Sequence, residues 1–139
     1  MGFGYGAGAY QQVRSHGTVE TADPHGLIAM LMDGAIERLT KARGHMLHGE
    51  VAAKGELISR CLDIISELRG SLDPKVETPL VGQLGALYDY MGRRLLHANL
   101  HDDPRALDEV SDLMQKLRRA WAGIPMDARQ PQRPAQAAP

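Results

Sequence analysis

Residues 78–121 read TPLVGQLGALYDYMGRRLLHANLHDDPRALDEVSDLMQKLRRAW. Two helix starts are written into this stretch, because Thr78-Pro79 and Asp103-Pro104 each set a side-chain oxygen directly before a proline. Such an oxygen accepts an orphan N–H of the first turn, while proline at the first helical position has no N–H to lose and a preset φ. After each start, apolar residues recur at steps of three and four. The first series is Leu80, Leu84, Leu87, Met91, Leu95 and Ala98; the second is Leu107, Val110, Met114, Leu117 and Trp121. An average step of about 3.5 marks one buried helix face, of the kind that packs along a neighbour at a shallow angle.

The same grammar extends upstream. Asp23-Pro24 repeats the start signal, and a fourth start follows Gly49 at Glu50-Val51. Ile28, Met32, Ala35, Leu39, Ala42 and Met46 form one stripe, and Ile58, Cys61, Ile65, Leu68 and Leu72 another. Gly44, Gly49, Gly70 and Gly123 supply stop signals. The spacing predicts helices over about 24–47, 51–72, 79–101 and 104–122, each roughly 30–35 Å long at 1.5 Å per residue. Equal lengths and short loops predict an all-α, antiparallel up-down-up-down four-helix bundle. The bundle should occupy residues 21–123, behind a mobile Gly/aromatic leader over 1–20 and ahead of a disordered Pro/Gln/Ala tail over 124–139.

Composition narrows the class. The 139 residues amount to one domain, 43% hydrophobic and 24% charged, as in globular chains. A net charge of -1 argues against nucleic acid or an anionic membrane as a main partner. Cys61 is the only cysteine, which excludes an intrachain disulfide framework. No apolar run approaches the ~18 residues of a membrane span. Met1 to Gln12 carries no positive charge and no continuous apolar segment, so it does not read as a secretory signal, and an intracellular, cytoplasmic protein is expected. Aromatics are 4% of the chain, with Phe3, Tyr5 and Tyr10 in the leader and only Tyr88, Tyr90 and Trp121 beyond it, so the core must be aliphatic.

Candidate chemistry is sparse. The opening Gly2-Phe3-Gly4-Tyr5-Gly6 lacks the preceding strand and the Lys-Ser/Thr of a phosphate loop. His45 and His48, with His97 and His101, should share one pole, where a zinc site is conceivable, yet no Glu-x-x-His di-iron signature exists. His25 and His97 are the candidates for a histidine phosphotransfer role, an alternative that rests on fold analogy. Cys61 lies on a core stripe as a small buried hydrophobe, and Asp102-Asp103 and Asp108-Glu109 suit the positive end of helix four. No catalytic group, metal or other cofactor is expected.

What stands out is apolar surplus. Leu27, Leu31, Ile36, Leu57, Leu62, Ile64, Leu96, Leu100, Leu113 and Ile124 lie off the stripes. A wider stripe absorbs some of them, and the remainder should form grooves for a partner. Leu57, Ile64, Tyr90, Leu96, Leu100 and Leu113 are the expected contacts. Trp121 is expected to cap the core.

Several segments also resemble a known family. Tyr10-Gln11-Gln12, then Thr21-Ala22-Asp23-Pro24-His25 with Leu27-Ile28, and Met30 through Ile36 are similar to the start of the flagellin-specific flagellar secretion chaperones. Asp63-Ile64-Ile65-Ser66-Glu67-Leu68 resembles that family's second helix. Leu87-Tyr88-Asp89-Tyr90-Met91 through Arg93-Arg94-Leu95-Leu96 to Ala98-Asn99 resembles its most distinctive segment, and Glu109-Val110, Leu113, Leu117 and Ala120-Trp121 its end. The chain departs at Met32, usually an aromatic, and at Asp23, commonly Ser or Thr. The resemblance covers about residues 10–123. It implies a cytoplasmic, non-enzymatic chaperone, monomer or homodimer, that binds the disordered C-terminal segment of flagellin, prevents premature polymerisation and delivers it to a component of the export gate. It further implies that the N-terminal segment covers part of the client site, a displaceable plug that here would be Tyr10.

Overall fold

The computed structural model describes residues 23–73, 75–76 and 78–123. The leader 1–20 with Tyr10, and the tail 124–139 with Ile124, lie outside the described residues. Four helices follow: α1, Pro24–Leu47; α2, Val51–Gly70; α3, Pro79–His101; and α4, Pro104–Gly123. Three start where an oxygen precedes a proline. Asp23 accepts from the His25 N–H at 3.0 Å, Thr78 from Val81 at 3.2 Å and Asp103 from Arg105 at 3.0 Å. The start of α2 differs. Gly49 takes a φ of +70°, and Glu50 makes no side-chain cap; its carboxylate goes to His45 Nδ1 at 2.6 Å instead.

The helices contact one another around a square, α1–α2, α2–α3, α3–α4 and α4–α1. Neighbours are antiparallel: as α1 advances from Asp33 to Arg43, the ion-pair partner on α4 retreats from Arg118 to Asp108. The antiparallel four-helix bundle read from the periodicity is therefore the fold. Met32, Ala35, Leu39 and Ala42 of α1 face Ile58, Cys61 and Leu68 of α2, Met91 and Leu95 of α3, and Leu107, Val110 and Met114 of α4, all essentially solvent-free. At the open end Trp121 is buried, donates Nε1–H to the His25 carbonyl at 3.0 Å and stacks on the His25 ring at 4.9 Å. The His25 Nε2–H in turn donates to the Trp121 carbonyl at 3.0 Å, so the first turn of α1 and the last of α4 are clasped.

Two expectations need correction. Leu80, Leu84 and Leu87 do not form the inner face of α3: Leu80 is exposed, the other two are half-buried, and Gly85 and Tyr88 are buried instead. The cause is overhang. α2 stops at Gly70, two residues short of the expected end, and Arg69 already lies over Gly85, so the first turns of α3 run past the end of their neighbour. Ile64, expected on the surface, is 3% exposed and belongs to the core, lying against α1 beside Gly34.

Among the described residues one charged side chain is buried in the bundle. Lys54 is 3% exposed, and its Nζ–H donates to the Asn99 carbonyl at 3.0 Å and to Asp102 Oδ1 at 2.6 Å. Asp102 ends α3 at a φ of 49°, a left-handed position usually given to Gly or Asn. The ammonium therefore both satisfies a terminal carbonyl and holds the carboxylate that makes the corner. Replacing Asp102 with Ala should cost about 2 kcal/mol, from the abandoned buried cation plus the strained φ. Asp102→Gly should cost about 1 kcal/mol less than Asp102→Ala, since glycine accepts that φ. Urea unfolding midpoints of the two variants check the difference.

Candidate docking site

The apolar positions expected to meet a partner fall in three places. Tyr90 and Leu113 share the α3–α4 groove: the Tyr90 hydroxyl donates to Glu109 Oε2, and Leu113 follows Glu109 by one turn. Leu96 and Leu100, one turn apart on α3, are 58% and 78% exposed. Leu57 is half-buried on α2, packed against the core. Ile64 belongs to the core, and Tyr10 lies outside the described residues. Leu113 is half-buried, with Leu87 and Leu117 also resting on the core from this side.

Sequence reasoning missed two exposed apolar residues, Leu47 at 58% and Val51 at 65%. Both lie at the α1–α2 corner, where the helical stripe no longer says which way a side chain points. Val51 is one turn before Lys54, whose ammonium reaches the end of α3, so Leu96, Leu100 and Val51 share one end of the bundle.

The charges around these surfaces are mostly engaged. Arg94 Nε–H donates to Glu109 Oε1 at 2.7 Å, so one carboxylate serves both Arg94 and Tyr90. The Tyr90 hydroxyl, and then Arg94, hold the Glu109 carboxyl below its ordinary value of 4.5, while the same bond pushes the Tyr90 phenol up from 10.0. Asp103 is pushed up by burial but pulled further down by the Arg105 N–H, by His97 at 3.3 Å and by the Ala106 N–H. On the flank of α2, burial pushes Asp63 up, and burial together with Asp63 does the same to Glu67. Cys61 is pushed up to about 12 by burial, the state of an inert core thiol.

The histidines are occupied locally. His48 Nδ1–H donates to the Gly44 carbonyl at 2.7 Å, His45 pairs with Glu50, and His97 lies 4.6 Å from the His101 ring. Among the described residues no group of three or more His, Cys, Asp or Glu side chains converges as metal ligands. No helix among them is long and apolar enough to cross a membrane.

A rigid aliphatic bundle with leucines left on its outside is thus the geometry to be explained. Residues 6–128 match the family model of the flagellar protein FliS. The chain belongs to that family. It is 44% identical over 115 residues to the flagellar secretion chaperone FliSB of Pseudomonas aeruginosa, covering 83% of this chain and 91% of the relative. It is 43% identical over 120 residues to the flagellar secretion chaperone FliS of Salmonella typhimurium, covering 86% and 89%. Against the FliS of Bacillus subtilis it is 35% identical over 113 residues, covering 81% and 80%. The matched span of this FliS-family chain takes in all four helices and Tyr10.

The Glu109 cluster gives a pH test with a definite sign. A carboxyl whose folded value is depressed stabilises the fold above its unfolded value and loses that contribution as pH falls through the folded one. Wild-type stability should therefore drop below the ordinary 4.5 of Glu109. Glu109→Gln, less stable at neutral pH, should lose less between about pH 5 and pH 3. Urea titrations of both proteins across that range measure the difference in slope.

Proposed function

We propose that this FliS-family chain is a cytoplasmic export chaperone that binds the disordered C-terminal segment of flagellin. It prevents premature polymerisation and assists delivery to the flagellar type III export apparatus, where a component of the export gate receives the complex. The observation that carries this reading is the family match over residues 6–128. The relatives, several of them named flagellar secretion chaperones, align along most of their length.

The geometry supports a mechanism of binding rather than catalysis. A disordered client pays several kcal/mol to become ordered, so it needs a broad apolar surface that is itself already ordered. The bundle offers this. Its core is closed without Leu96 and Leu100, which stay exposed, and without the outward parts of Tyr90, Leu113 and Leu57. Amphipathic client segments laid into such grooves bury their apolar faces in the manner of helix-in-groove recognition. Tyr10 is the proposed plug, covering part of this surface until the client displaces it.

Calorimetric titration with a peptide spanning the C-terminal segment of the cognate flagellin tests the reading. Binding at micromolar concentrations with a negative heat-capacity change is expected. Leu96→Asp and Leu100→Asp should each weaken it by about tenfold, one transferred leucine's worth of burial, without lowering thermal stability. Deleting residues 1–12 should strengthen it. Absence of binding at tens of micromolar would remove the function and leave the fold intact.

A further inference from the structure

The flanks of the bundle differ in how their charges are spent. Along α1–α4, Arg43 pairs with Asp108 and Arg118 with Asp33; along α2–α3, Arg69 pairs with Asp89 and Lys54 with Asp102. Along α3–α4 the carboxylate of Glu109 is already claimed by Tyr90 and Arg94. That leaves Arg93 over. It stands one turn after Tyr90, is exposed, and places its guanidinium carbon 5.9 Å from the centre of the Tyr90 ring. Lys116, two turns after Glu109 and therefore on the same side of α4, is exposed as well. Among the described residues neither cation has a carboxylate within ion-pair distance, and Asp112, one turn before Lys116, forms no bridge with it.

Tyr90 stands one turn before Arg93 on α3, and Leu113 one turn before Lys116 on α4, both half-buried along this groove. Any apolar segment that settles on them must strip water from Arg93 and Lys116. Desolvating a cation without a counter-charge is costly, whereas supplying a carboxylate turns the same contact favourable. The groove thus penalises an uncharged apolar segment and rewards one edged with acids, a discrimination that works by cost as much as by attraction.

We propose that the α3–α4 groove receives an amphipathic segment of the flagellin client whose apolar face rests on Tyr90 and Leu113 and whose edge presents carboxylates to Arg93 and Lys116. The proposal rests on the chaperone reading above. It adds that the client is selected by an acidic-edged pattern and not by hydrophobicity alone.

The test uses the full-length protein and the cognate flagellin peptide, titrated at about 50 mM and about 500 mM salt, between which the screening length shrinks about threefold. Wild-type affinity should fall as salt rises. Arg93→Glu should weaken binding by about fivefold to tenfold at low salt, Lys116→Glu somewhat less, and in the double charge-reversal variant affinity should rise rather than fall with salt. Arg93→Gln, which removes the charge without adding one, should lie between wild type and Arg93→Glu. Lys75→Glu, the same charge change on an exposed loop residue, should leave affinity unchanged. A peptide with Asp and Glu replaced by Asn and Gln should bind wild type and Arg93→Glu equally. Unchanged affinity in Arg93→Glu and Lys116→Glu, at unaltered melting temperature, would overturn the proposal while sparing the chaperone reading. Absence of any peptide binding to wild type would overturn both. Self-association abolished by Arg93→Glu would make a second copy of this chain the occupant, against the proposal.

Discussion

The contact on which the rest of the structure depends is the close approach of α1 and α2. Ile64 and Cys61 of α2 lie there against Gly34 and Ala35 of α1, with Cys61 Sγ 3.9 Å from the Ala35 carbonyl. Interiors pack at near-crystalline density, and one added methylene at such a place is felt. With α1 and α2 fixed, Met32 and Leu39 on one side and Ile58 and Leu68 on the other present a surface onto which α3 and α4 close. The core is mostly aliphatic, and among the described residues Tyr88 and Trp121 are the aromatic rings it takes in. Tyr90 stands half-buried on the groove side, its hydroxyl held by Glu109.

A second layer of order comes from polar contacts around that core. Lys54 is the extreme case, an ammonium buried among apolar neighbours and spent on the end of α3. The surface pairs Arg43–Asp108, Arg118–Asp33 and Arg69–Asp89 are partly exposed, and each contributes little to stability. Their consequence is chemical rather than energetic: they consume carboxylates along two flanks. On the α3–α4 flank Glu109 is shared between two donors, and the neighbouring cations are left over. The surface available to a partner is therefore not a random sample of side chains but the residue of what the bundle did not use for itself.

Much of this was legible in the residues, and the illegible parts share a cause. Asp23-Pro24, Thr78-Pro79 and Asp103-Pro104 announce helix starts because capping is a local transaction, settled within three residues. The stripes of α1, α2 and α4 announce a bundle because periodicity is local too. The inward face of early α3 is not local. Whether Leu84 or Tyr88 is buried depends on where α2 ends, which no residue of α3 records. Ile64 reads as surplus because the α1 surface that covers it belongs to another helix. Lys54 and Asp102, far apart in the chain, give no sign of each other in sequence, and nor do Tyr90 and Glu109. Of the apolar positions off the stripes, Leu96 and Leu100 are left outside by the rotation of α3, Leu57, Tyr90 and Leu113 are half-buried, and Ile64 is taken into the core.

Those dependencies bear on how a chaperone of this build can handle a client without becoming one. Exposed leucines on a marginal protein invite aggregation or refolding around them. Here they sit on α3, a helix pinned at its end by Lys54 and along its flanks by Asp89 and Arg94. Those ties involve neither Leu96 nor Leu100, so covering the two leucines breaks none of them. A client that orders itself against such a face bears the whole entropy loss, and the bundle bears almost none. On the proposed reading the interaction would be weak per unit area and reversible. A surface meant to hold a segment until export requires that balance, which a softer bundle, sharing the ordering cost, would lose.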